Sequence, residues 1–200
     1  MCGLVGGLSG LALSLRNQAA QVGMDQAERW VGISDGGAGI EDFLRVNFPR
    51  VEAVILDFYH ASEHLCEWVG VLRAGDEGLI ESESQAWCHR LKHEGGEAVL
   101  RALREVALPK RKAGVREAHR ALLVYFENQV HRMDYPSYRA KGWGIGSGAV
   151  ESACKQVVGG RLKGSGMRWA EAGADGMCHL RALFRSEKGQ WDAYWHALAA

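Results

Sequence analysis

Val51-Glu52-Ala53-Val54-Ile55-Leu56-Asp57-Phe58-Tyr59-His60 decides the fold class. Val51–Leu56 is nearly all apolar, as suits a parallel strand covered on both faces, and it runs straight into a carboxylate. Upstream, Pro49 closes a short helix over Ile40–Asn47, with Ile40, Phe43, Leu44 and Phe48 on one face. Before it, Trp30–Ser34 is a β-like run ending in the turn Ser34-Asp35-Gly36-Gly37. Leu11, Leu15, Ala19 and Val22 recur at helical spacing, and Gly23 stops that helix. Residues 1–10 are Gly-rich and expected to be disordered.

Downstream, the pattern from Ala61 to about Val130 is helical, punctuated by Gly75, Gly78, Gly95-Gly96, Pro109 and Gly114. Tyr135–Gly148 reads as a linker, with Pro136, Gly142, Gly144 and Gly146 inside it. Ala149–Val158 and Trp169–Arg185 are helical, and Gly159–Met167 between them is a basic loop or helix extension. The tail carries an aromatic cluster of Trp191, Tyr194 and Trp195. Strands alternating with helices, then a long helical stretch, predict a mostly helical α/β chain whose core carries an all-α insertion. The expected division is 1–10, a core half over 11–60, the insertion over 61–140, and core helices over 141–200.

Composition excludes some classes. The 200 residues carry 24 basic and 24 acidic side chains, which argues against a uniformly basic nucleic-acid coat but leaves local patches open. Cys2, Cys66, Cys88, Cys154 and Cys178 form no Cys-x-x-Cys pair, and their odd number does not suggest a disulfide framework. No apolar run approaches the ~20 residues of a membrane span. No positive segment precedes the apolar start, so a signal peptide is not expected and a cytoplasmic protein is.

Three features point to chemistry. Asp35 and Asp57 each follow a hydrophobic strand, and ligands of open α/β sheets gather at such strand ends. Asp35-Gly36 is also ordinary turn chemistry, whereas a charge closing the run at Asp57 demands a specific partner. Gly146-Ser147-Gly148-Ala149-Val150-Glu151 makes a tight entry to a helix with Glu151 in its first turn, where the helix dipole favours a carboxylate. Plain capping by Ser147 explains the same pattern, although a capping box would put the acid at position 150. From Arg139 to Arg168 the chain has six basic residues (Arg139, Lys141, Lys155, Arg161, Lys163, Arg168) against Glu151 alone. Charge beside glycine suits phosphate contacts, and a solvated face is the bland alternative. Lys110, Arg111 and Lys112 form a second cluster, read as solvated. His60-Ala61-Ser62-Glu63-His64 also fits the His-x-x-Glu-His pattern of an inverted zinc peptidase, and His89 and His93 repeat its i, i+4 spacing.

Taken in order, these blocks resemble one family. Ile33-Ser34-Asp35-Gly36, then Ile55–Leu65, then a helical insertion, then Ile145–Lys155, then Arg161–Trp169 is similar to bacterial insertion-sequence DDE transposases of the Kra type. The resemblance spans roughly Leu11 to Trp195. It implies a partial RNase H-like core in which Trp30–Ser34 is the fourth strand and Val51–Leu56 the fifth. It makes Asp35 the second catalytic Asp and Glu151 the third carboxylate, both metal ligands. Asp57 and His60 become the supporting Asp-x-x-His pair, and Lys155, Arg161, Lys163 and Arg168 become DNA contacts. Two Mg²⁺ (or Mn²⁺) ions roughly 4 Å apart are the implied cofactors of the complete enzyme, with water and then a DNA 3′-hydroxyl as nucleophile. The implied partners are transposon ends and target DNA, and further copies of the complete enzyme in a homo-oligomer near the nucleoid; no membrane is implied.

The first catalytic Asp of that family belongs on a strand before Leu11, and the only acids before Asp35 are Asp25 and Glu28. The expectation is therefore a truncated, inactive remnant: purified 200-residue chain should show no strand transfer with Mg²⁺. The alternative is a non-catalytic DNA-binding or regulatory fragment, in which Glu151→Gln leaves DNA binding intact.

Overall fold

The computed structural model describes residues 8–109, 113–186 and 189–199. Helix α1 covers Leu8–Gln21, and a single 3₁₀ turn follows at Met24–Gln26. Strand β1 is Trp30–Ser34, helix α2 Ile40–Asn47 and strand β2 Val51–Leu56, the boundaries expected from the sequence. Helices α3 (Phe58–Leu72), α4 (Glu77–Glu94), α5 (Gly96–Arg104), α6 (Ala113–Gln129) and α7 (Tyr135–Ala140) come next. A 3₁₀ turn at Val130–Arg132 joins α6 to α7. Last come α8 (Gly148–Cys154), a π-helical turn over Lys155–Gly159, α9 (Gly160–Leu162), α10 (Glu171–Arg185) and α11 (Gln190–Ala199).

Two expectations change. Helix α1 begins at Leu8, so 8–10 are helical; the rest of the segment expected to be disordered, 1–7, lies outside the described residues, as do Lys110, Arg111 and Lys112. The span read as a linker holds α7, because Asp134 accepts a hydrogen bond from the Ser137 amide as N-cap and Pro136 sits in the first turn. Pro there marks a helix start rather than a break.

The chain forms two compact units, one continuous over Glu28–Ser147 and the other made of the chain up to Ala27 and from Gly148 onward. In the continuous unit β1 and β2 pair in parallel, joined by α2 as the crossover. Trp30 pairs with Val51 and Val31 with Ala53, so Glu52 is an extra, bulged residue. Val54, Ile55 and Leu56 are fully buried, as the apolar run predicts.

Helix α3 turns Ala61, Leu65, Trp68, Val69 and Leu72 inward, the i, i+4, i+7, i+8, i+11 stripe of an amphipathic helix. That stripe packs on α4 and α6, and α6 answers with Val115, His119, Leu122 and Phe126. Val99, Leu100 and Leu103 of α5 complete this core together with Met133, Tyr135 and Tyr138. Full burial of each such aliphatic side chain stabilises the fold by about 1.5–3 kcal/mol. Gly95 turns the chain from α4 into α5 at φ 84°, a conformation that favours glycine. Gly96 must also lack a Cβ, which would meet the Met133 Cβ at 2.5 Å.

In the other unit α10 packs on the π turn and on α11. Arg181 of α10 donates to the carbonyls of Val157 (2.9 Å) and Gln156. Among the described residues, no helix is long and apolar enough to cross a membrane.

Candidate active site

Asp35 and Asp57 leave the carboxyl ends of the two parallel strands side by side. Ser34 pairs with Leu56, and the Asp57 amide donates to the Ser34 carbonyl at 2.8 Å. The carboxylates differ in surroundings. Asp35 is exposed, and its Oδ1 accepts a hydrogen bond from the Gly37 amide at 3.1 Å. Turn chemistry and strand-end placement thus coincide in one residue, and the turn leaves Oδ2 available. Gly37 fits because a Cβ there would lie 2.7 Å from Ile40 Cδ1 and 3.0 Å from Asp35 Oδ1.

Asp57 is 6% exposed and spends both oxygens inside the protein. Oδ1 accepts from the amides of Tyr59 (3.0 Å) and Ser147 (3.3 Å), and Oδ2 accepts from the Ser147 hydroxyl. It is at once the N-cap of α3 and the anchor of the Gly-Ser-Gly segment. These donors offset the desolvation of a buried charge, which is the specific partner the sequence demanded. The Phe58 amide adds a hydrogen bond to the Ile145 carbonyl at 2.8 Å. Gly146 lies so close to the Tyr59 ring that a Cβ would meet Cε2 at 2.7 Å. Close approach is thus what Gly146 supplies.

His60 lies one turn into α3, with Nδ1 3.7 Å from Glu63 and its ring 5.2 Å from that of His64. Burial holds the His64 imidazole below its ordinary pKa, His60 adds to this, and Glu67 and Glu63 oppose it. The two rings of the His-x-x-Glu-His pattern do share a helix face, and His89 and His93 stack at 4.3 Å on α4. Among the described residues, no three His, Cys, Asp or Glu side chains are grouped to hold a metal ion.

Sequence reasoning missed the residues behind Asp35. Arg132, 2% exposed, donates from Nε to the Val54 carbonyl (3.1 Å), from Nη1 to Gln129 Oε1 (3.0 Å) and from Nη2 to Ser34 Oγ (2.6 Å). Its Nη2 also reaches the carbonyls of Ser34 (3.5 Å) and Asp35 (3.4 Å). Tyr135 donates its hydroxyl to the Leu56 carbonyl at 3.0 Å. The available signal was an arginine two residues before a helix N-cap, Arg132-Met133-Asp134-Tyr135, and that pattern is weak.

In the other unit, Glu151 is exposed in the first turn of α8, where the helix dipole favours it. Lys155, Arg161, Lys163 and Arg168 are all exposed. Lys155 opens the π turn, Arg161 lies in α9, and Lys163 and Arg168 lie in the turn and extended segment after it. Gly159–Met167 therefore divides into a helix extension as far as Leu162 and a loop beyond it.

No protein-family model, curated protein or solved structure matches this chain.

Proposed function

We propose that this chain is a segment of a DDE transposase with an RNase H-like core, serving metal-dependent DNA strand cleavage and strand transfer. One observation carries the reading: Asp35 and Asp57 end adjacent parallel strands, and Ser147 of the Gly-Ser-Gly segment is hydrogen-bonded to Asp57. Ligand chemistry at strand ends of α/β sheets is general, and an exposed carboxylate there suits metal-assisted phosphoryl transfer. In this reading 11–60 is the core half, 61–140 the helical insertion and 141–200 the C-terminal helices of the core.

Asp35 fits a hard divalent cation, since it is exposed and one of its oxygens is left over by the Gly37 turn. Glu151, exposed at a helix start, is the other metal carboxylate that the resemblance implies for the complete enzyme. When bound, Mg²⁺ supplies charge stabilisation for the attacking and leaving oxygens. Asp57, with both oxygens committed to Tyr59 and Ser147, is a positioning residue and not a ligand. His60 stands at the same strand end with its imidazole half-exposed, able to orient a phosphate or a water. Lys155, Arg161, Lys163 and Arg168 neutralise DNA phosphates without reading bases.

The test is a Mn²⁺ titration followed by electron paramagnetic resonance. The chain is expected to bind Mn²⁺, and Asp35→Asn to weaken binding at least about tenfold, while Asp57→Asn acts less. Binding that survives Asp35→Asn unchanged, or no binding at all, would overturn the reading.

A further inference from the structure

Arg132, Gln129 and Tyr125 are spaced as one helical face of the insertion, and all three meet the short segment Ser34-Asp35-Gly36, about ninety residues earlier in the chain. We infer that they form a cradle that positions the Asp35 carboxylate for its ligand. The inference rests on the proposed metal role of Asp35 and adds residues outside the DDE set.

Each member holds a different part of the segment. Arg132 gathers the Ser34 hydroxyl and the Ser34 and Asp35 carbonyls with a single nitrogen. Its planar fork is pre-organised, so Nε is free to hold the Val54 carbonyl of the neighbouring strand at the same time. Gln129 donates Nε2 to the Gly36 carbonyl at 3.4 Å while its Oε1 accepts from Arg132. Tyr125 is the wall: a Cβ on Gly36 would meet its Cε2 at 3.1 Å. Among the described residues its buried hydroxyl has no hydrogen-bond partner, and burial pushes its pKa up to about 12, so the residue acts by its ring. Arg132 is held in turn by Glu41 at 3.8 Å, and Glu41 by His131 at 2.9 Å. A bare strand-end turn leaves a carboxylate free to swing. Here every carbonyl from Ser34 to Gly36 accepts a hydrogen bond from the insertion's side chains, and the Gly37 amide ties the Asp35 carboxylate itself. The insertion is therefore a working part of the site.

The experiment uses the full chain and three variants: Gln129→Met, an apolar near-isostere; Arg132→Lys, which keeps the charge and loses the fork; and Tyr125→Phe, which keeps the wall. Two quantities are read, hydrogen exchange of the Gly37 amide, which reports its bond to Asp35, and Mn²⁺ affinity. Gln129→Met and Arg132→Lys are expected to speed Gly37 exchange and weaken Mn²⁺ binding, each roughly fivefold or more, as loss of one hydrogen bond predicts. Tyr125→Phe should change neither. Thermal unfolding identifies variants that fold as the parent does, and Gln129→Met, the milder change, keeps the test informative where Arg132→Lys unfolds. Unchanged exchange and affinity in folded Gln129→Met overturn the cradle. If the parent binds no Mn²⁺, the metal reading of Asp35 fails by itself. The cradle then stands or falls on Gly37 exchange: faster in Gln129→Met upholds it, unchanged overturns it.

Discussion

Ser147 supplies two of the three hydrogen bonds that Asp57 accepts, one from its amide and one from its hydroxyl. Ser147→Ala leaves a buried carboxylate oxygen without its donor and should destabilise the fold by about 1–3 kcal/mol, the usual cost of a stranded buried acceptor. Asp57→Ala should cost at least as much, because the N-cap of α3 goes with it. The two losses share one interaction, so the double variant should cost less than their sum. A double-mutant cycle by urea unfolding measures this, and strictly additive losses would show that the clasp stabilises nothing. This residue pair was half legible in the sequence. The apolar run into Asp57 announced that the charge needed a partner, but nothing local named Ser147, ninety positions away.

At the scale of elements, periodicity carried the reading where local physics decides. β1, α2 and β2 have the boundaries expected, since each is bounded by a Gly turn, a Pro or an abrupt change of polarity. Gly78 and Gly114, read as punctuation of the helical stretch, sit in the first turns of α4 and α6. Helix α7 escaped because its N-cap and Pro form a start signal in a stretch whose glycines suggest a linker. The Arg132 cradle was invisible for another reason: its partners are backbone carbonyls, which leave no trace in side-chain patterns. Helix α6 also carries a testable pH response. His119 is buried against α3, its ring 5.4 Å from that of Trp68, and burial lowers its pKa although a hydrogen bond to the Leu103 backbone opposes the shift. The native state thus resists a proton that the unfolded chain accepts at the ordinary imidazole value of 6.5. Stability is present above that value and is lost as pH falls below it toward the lowered native pKa. His119→Leu should flatten the decline of the unfolding midpoint between about pH 7 and about pH 5. An equally steep decline in the variant would move the effect elsewhere, His64 being the next group with the same direction of shift.

Over the whole molecule, the unit Glu28–Ser147 is continuous in sequence and contains the strands, α2–α7 and the main core cluster. A polypeptide covering 28–147 alone should therefore fold cooperatively, with sigmoidal thermal unfolding and dispersed amide resonances. A broad, non-cooperative melt would show that the strand pair depends on the remainder of the chain, and the strand pair is the part to watch. Two strands seldom stand alone, and here α2 and the 3₁₀ turn at Val130–Arg132 pack against them. The clasp at Ser147 also sets where this unit ends in space. The chain enters beside Trp30, which pairs with Val51 at the amino ends of the parallel strands, and departs beside Asp57, past their carboxyl ends. Entry and exit are thus a strand's length apart, roughly 17 Å. A circular permutant joining them needs a connector of at least about six extended residues running along the sheet. Splicing this module into a host loop demands a host whose two attachment points stand equally far apart.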